Sequence, residues 1–89
     1  MSRAEIAERI RDVIVEDLRW SGRREDLLDD LSLIEHRVVD SLGLLHLVAR
    51  LEAVFGIRVR DEEVVPATFG TIGDLASFVA RKTGATRLR

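Results

Sequence analysis

The stretch Ser41–Phe55 constrains this chain more than any other. Leu44, Leu47, Val48, Leu51 and Phe55 recur at helical spacing and make one apolar face. Asp40 stands just before them as an N-cap acceptor, and Gly56 stands just after them as a C-terminal stop. The opposite side is not a polar face. Leu42, Leu45, Ala49 and Ala53 lie there among His46, Arg50 and Glu52. A small domain needs one buried stripe per helix, so this second strip is surplus to the core and points to a partner surface. The competing reading is a central helix buried all round, and the three interrupting polar residues count against it.

The segments around this helix read less uniformly. Ile6, Ile10, Val13, Ile14 and Leu18 form a single stripe of an N-terminal helix, with Ser2 or a neighbour as its cap and Ser21-Gly22 as its stop. Residues 21–40 keep no clean period. Leu27, Leu28, Leu31, Leu33 and Ile34 are scattered among acids, which predicts a long loop with a helical turn at most, pinned to the core by its leucines. Val38-Val39 has no partner strand and is not read as one. Ile57-Arg58-Val59-Arg60 alternates but is too short to stand as a sheet, so it reads as an extended connector. Asp61 to Val65 reads as one helical turn with acids at its start, stopped by Pro66. Thr71-Ile72-Gly73-Asp74 has the capping-box form with Asp in place of Glu. It opens a last helix carrying Ile72, Leu75, Phe78 and Val79 and ending near Gly84.

The expected fold is all-α: a small four-helix bundle of three main helices and one short one, with a long loop between the first two. Leu44, Leu47, Val48, Leu51, Phe55, Ile72, Leu75 and Phe78 should form the core. Ile6, Ile10, Ile14 and Leu18 should close it, with Trp20 half-buried at the loop.

Composition narrows the function. A chain of 89 residues and 10.0 kDa holds one small domain. With 46% apolar and 34% charged residues it reads as soluble and globular. The absence of cysteine excludes disulfides, thiolate zinc sites and a cysteine nucleophile. His36 and His46 are the only imidazoles, too few for a multi-histidine metal site. No apolar run has the length of a membrane span and no signal-peptide core is present, so a cytoplasmic location without a membrane partner is expected. A net charge of −2 argues against nucleic acid as a partner. The cations Arg81, Lys82, Arg87 and Arg89 suit the end of a last helix, and no aromatic residues interleave with them.

Asp40-Ser41-Leu42 is the one triplet with chemical promise. A serine at a helix N-terminus lies where unpaired N–H groups and the helix dipole favour a phosphate. Helix capping accounts for the same residues, and the triplet alone leaves both readings open. Hydrolysis is a poor fit. His46 lies five residues beyond Ser41 on the same helix and projects elsewhere, His36 lies in the loop, and no nucleophile-elbow glycines surround Ser41. The chain reads as no enzyme.

The pattern as a whole is more specific than the triplet. Asp40-Ser41-Leu42-Gly43-Leu44-Leu45, then Leu51-Glu52-Ala53-Val54-Phe55-Gly56-Ile57, then Asp61-Glu62-Glu63 and Phe69-Gly70-Thr71-Ile72 resemble the acyl and peptidyl (aminoacyl) carrier proteins. The order of helix, long loop and helix agrees. The likeness runs over roughly 4–83 of a single carrier domain spanning 1–89, and is greatest to free-standing carriers served by dedicated loading enzymes.

The resemblance implies that Ser41 is the attachment point of 4′-phosphopantetheine, joined by a separate phosphopantetheinyl transferase that uses coenzyme A and Mg²⁺. It makes Asp40 the motif aspartate that helps the transferase arrange that metal. The carrier would hold an acyl or aminoacyl group as a thioester and present it, as a monomer, to a loading ligase or transferase and to later biosynthetic enzymes. By matching positions Leu42, Leu45, His46, Ala49, Glu52 and Ala53 would face those partners, which is the strip that is surplus to the core. The carriers of fatty-acid synthesis have a strongly acidic second helix. Here Gly43, His46, Arg50 and Ala53 replace much of that charge, Arg58 and Arg60 follow, and Val38 stands where a glycine is often found. A dedicated and more hydrophobic interface is therefore expected. The alternative is an unmodified helical protein–protein adaptor docking through the same helix.

Overall fold

Ser2 starts the first helix by a reciprocal bond. Its hydroxyl accepts the Glu5 N–H at 3.2 Å while the Glu5 carboxylate accepts the Ser2 N–H at 2.8 Å. Such a cap contributes roughly 1 kcal/mol. In the computed structural model, which describes residues 2–18, 20, 22–35 and 38–84, this helix, α1, spans Arg3–Asp17. It ends earlier than Ser21-Gly22 suggested. Leu18 becomes the C-cap, its N–H donating to the Ile14 carbonyl at 3.2 Å, and is half-buried rather than a full member of the stripe. Trp20 is half-buried as expected, and its indole N–H donates to the Arg23 carbonyl at 2.9 Å. Ser21, the cationic tail residues Arg87 and Arg89, and His36 lie outside the described residues.

The long connection after α1 carries a 3-10 turn at Arg24–Asp26 and is bound on two sides. On one side Arg11 donates to the Leu27 carbonyl at 2.6 Å and pairs with Asp29, and Arg24 pairs with Glu8 at 2.8 Å and Asp12 at 3.0 Å. On the other side the Leu33 N–H donates to the Gly70 carbonyl at 2.9 Å, and the Gly73 N–H donates to the Asp29 carbonyl at 2.8 Å. Of the leucines expected to pin this segment, Leu27 and Leu33 are fully buried and Leu31 packs against the core. Leu28 and Ile34 do not pin it; they are 58% and 53% exposed.

Helix α2 spans Ser41–Phe55. Leu47 and Leu51 are fully buried, while Leu44, Val48 and Phe55 are half-buried against the core rather than inside it. Each fully buried leucine is worth roughly 1.5–3 kcal/mol. Gly56 closes α2 in the left-handed region, with φ of 64°, where a side chain would be strained. Residues 57–60 form neither helix nor strand. Ile57 and Val59 turn to the core, and Arg58 and Arg60 turn to solvent.

The expected turn after the connector is a 3-10 turn at Asp61–Glu63, and Pro66 does not merely stop it. It is the first residue of a short helix, α3, spanning Pro66–Phe69. Proline is tolerated there because the first helical N–H has no partner within the helix. Helix α4 spans Ile72–Thr83. The Thr71 hydroxyl accepts the Asp74 N–H at 3.0 Å, and Arg81 and Lys82 lie in the last turn. Ile72, Leu75, Ala76, Phe78, Val79 and Ala80 are buried, facing Ile6, Ala7, Ile10, Val13 and Ile14 of α1. The Phe69 and Phe78 rings meet at 5.9 Å. The main packing is α1 on α4, with α2 resting on α1 over a smaller contact. The described residues form four α-helices and no strand, the all-α bundle expected.

Candidate functional site

Two buried valines deliver the start of α2 to the surface. The N–H groups of Val38 and Val39 both donate to the Leu33 carbonyl, at 2.9 and 3.2 Å, and both side chains are buried. One residue later the chain emerges. Asp40 is extended at φ −100° and ψ −172°, and its carboxylate accepts the Gly43 N–H at 2.7 Å. Its carbonyl accepts the Leu44 N–H, also at 2.7 Å. A β-carbon at Gly43 would lie 3.0 Å from that carboxylate, so glycine gives Asp40 room to cap. Ser41 is the first residue of the helix. The site is an exposed, capped helix N-terminus held from behind by a fixed apolar anchor.

Down the outer side of α2 the expected strip is present. Leu42 is 79% exposed and Leu45 66%, and His46, Ala49 and Ala53 are exposed. Glu52 differs. It is half-buried, and its carboxylate accepts the Val59 N–H of the connector at 2.9 Å. Arg50 is likewise engaged, donating to the Asp17 carboxylate at 2.5 Å. The strip is thus more apolar and less acidic than the sequence alone implied. Two open clefts border it. One, of about 430 Å³, lies at the head of the helix and is lined by Asp17, Leu18, Val38, Asp40, Leu42, Gly43 and His46. The other, of about 380 Å³, lies at its foot and is lined by Ala49, Glu52, Ala53, Ile57 and Arg58. Asp17 and Leu18 were not foreseen as site residues. They come from the end of another helix, and no local spacing announces that.

The sequence profile of the phosphopantetheine attachment site matches residues 8–79. The chain belongs to the phosphopantetheine-bearing carrier proteins. This carrier is 31% identical over 83 residues to the acyl carrier protein of Thermotoga maritima, covering 93% of this chain and 98% of that one. It is 32% identical over 79 residues to the acyl carrier protein of an Arthrobacter species, covering 89% and 93%. Among solved structures it is similar to the apo form of KstB-PCP, with a TM-score of 0.72 and 36% identity over 96% of this chain and 90% of that one. The acyl carrier protein from Enterococcus faecalis shares the fold, with a TM-score of 0.73 at 21% identity over 92% and 99%.

The carrier tethers acyl groups on covalently attached 4′-phosphopantetheine and is not an enzyme. Its chemistry is done by partner biosynthetic enzymes and by a phosphopantetheinyl transferase. Nothing in these likenesses favours the unmodified adaptor. Among the described residues no helix is long and apolar enough to cross a membrane. The residues at the head of α2 fit the group: Asp40 and Leu42 are exposed, and a phosphodiester held there would meet the positive end of a helix dipole.

Proposed function

We propose that Ser41 is the residue that carries the phosphopantetheine. The observation that carries this reading is the placement of the serines. Within the matched segment, the Ser32 hydroxyl accepts the Glu35 N–H at 3.3 Å and the Ser77 hydroxyl accepts from Arg3 at 3.0 Å. Ser41 is the first residue of α2, and its chain neighbours Asp40 and Leu42 are exposed. Its hydroxyl oxygen bonds to the pantetheine-side phosphorus of coenzyme A as the diphosphate linkage breaks, releasing adenosine 3′,5′-bisphosphate and a proton, while Asp40 holds the helix start and offers the transferase a carboxylate for its Mg²⁺. When bound, the arm supplies a terminal thiol that holds an acid as a thioester.

Leu42, Leu45, His46, Ala49 and Ala53 form the face on which the partners dock, with Glu52 at its edge bound inward to Val59. A face with so little acid suits dedicated acyl- or aminoacyl-loading enzymes rather than partners that select a strongly acidic helix. The carrier acts as a monomer in the cytoplasm, where coenzyme A supplies the arm.

The test is the intact mass after incubation with coenzyme A, Mg²⁺ and a broad-specificity phosphopantetheinyl transferase. Wild type should gain one phosphopantetheine and Ser41→Ala none. A gain retained by Ser41→Ala, or no gain by folded wild type, overturns the assignment.

A further inference from the structure

We infer that the cleft at the head of α2 seats the first part of the prosthetic arm, so that the arm lies against the end of α1 instead of swinging free from its attachment point. This rests on the assignment of the arm to Ser41.

Position is the first argument. Asp40 and Leu42, the two neighbours of Ser41, both line the cleft, and so does Gly43. The chain on either side of the attachment point thus borders the cleft. The cleft at the foot of α2 lies about 15 Å further along the helix, at the usual rise per residue, and is out of reach of the arm's first atoms.

The far wall is built before the arm arrives. Asp17 is held by Arg50 at 2.5 Å, and the Val38 N–H is held by the Leu33 carbonyl at 2.9 Å. A wall already fixed adds little ordering cost to binding. Its volume, about 430 Å³, lies toward the small end of ligand sites, which run from roughly 300 to 1,000 Å³. That suits a segment of the arm and leaves its thiol end, with the acyl group, outside for partners.

The lining matches the chemistry of that segment. Next to its phosphodiester the arm has a carbon bearing two methyl groups, then a hydroxyl, then an amide. Leu18 and Leu42 offer apolar contact to the methyl groups, and covering the exposed Leu42 removes apolar surface from water. The carboxylates of Asp17 and Asp40 accept from the hydroxyl and the amide N–H.

The experiment compares ¹H–¹⁵N spectra of apo and holo carrier, made with the transferase as above, with intact mass read on the same samples. Residues 40–43 shift from the modification alone, so the diagnostic amides are Asp17 and Leu18, which are remote in sequence. They should shift in the holo form while Arg58 and Val59 stay put, and the arm's methyl protons should show contacts to the Leu18 methyl groups. In Leu18→Ser the apo-to-holo shift of the Asp17 amide should fall. A full mass gain with Asp17 and Leu18 unmoved and no methyl contacts overturns the cleft and leaves the attachment standing. No mass gain overturns the attachment, and the cleft with it.

Discussion

The Glu52 carboxylate accepts the backbone N–H of Val59 at 2.9 Å, so the one acid of α2 is engaged inside the molecule. It fastens the connector at 57–60 to the helix that precedes it, and it draws a negative charge away from the exposed apolar strip. A hydrogen bond to a charged group contributes roughly 1.5–3 kcal/mol. At this half-buried position Glu52→Ala should therefore destabilise the carrier by about 1 kcal/mol in urea unfolding. Hydrogen exchange at the Val59 amide should accelerate, and exchange in α1 should change far less.

Under the proposed assignment Asp40 has two separable duties. As a cap it contributes about 1 kcal/mol, and Asn caps nearly as well as Asp. Asp40→Ala should lower the unfolding free energy by about that amount. Asp40→Asn should keep the stability and still slow phosphopantetheinylation, because its amide offers no charge to Mg²⁺. Thermal unfolding and the rate of mass gain, measured on both variants, separate the two duties.

Neighbouring leucines of the long connection should differ sharply. Leu33 is fully buried, and its truncation to Ala should cost about 2–5 kcal/mol by emptying core volume. Leu28, the residue next to the buried Leu27, is mostly exposed, and Leu28→Ala should stay within roughly 0.5 kcal/mol of wild type. Urea midpoints of the two variants check this directly.

Acid should loosen the junction between the second 3-10 turn and α4. The Glu63 carboxyl is held below its ordinary value of 4.5, first by the Arg60 N–H and then by Lys82 at 2.9 Å. A lowered folded-state value means that the ionised form stabilises the fold above the ordinary carboxylate range. That contribution is lost as pH falls from about 4.5 through the lower folded value. The wild-type advantage in Tm over Glu63→Gln should be full at pH 7 and shrink steadily below pH 4.5.

The three main helices were legible because their signals are local. Ser2, Asp40 and Thr71 each cap within three residues, and the buried stripes of α1 and α4 follow the helical period. Pro66 was misread because one property, the missing N–H, suits both the end of one turn and the start of the next. Nothing local told Leu27 and Leu33 from Leu28 and Ile34. Their burial is set by bonds to α1 and to Gly70, far along the chain. The exposed strip of α2 was visible in its own spacing. The inward turn of Glu52 was not, because its partner Val59 returns only after the helix has stopped. The wall supplied by Asp17 and Leu18 was hidden for the same reason.

The bonds from Leu33 to Gly70 and from Asp29 to Gly73 also set an order of assembly. Each joins the connection before α2 to chain made after it, and α1 finds its chief packing partner only in α4. Contacts this distant in sequence form late, because the intervening chain must be brought together first. A nascent chain that stops at Phe55 lacks both of these bonds, and its connection is held from the α1 side alone. Helix α4 thus helps to hold the head of α2 although it is made only after that helix is complete.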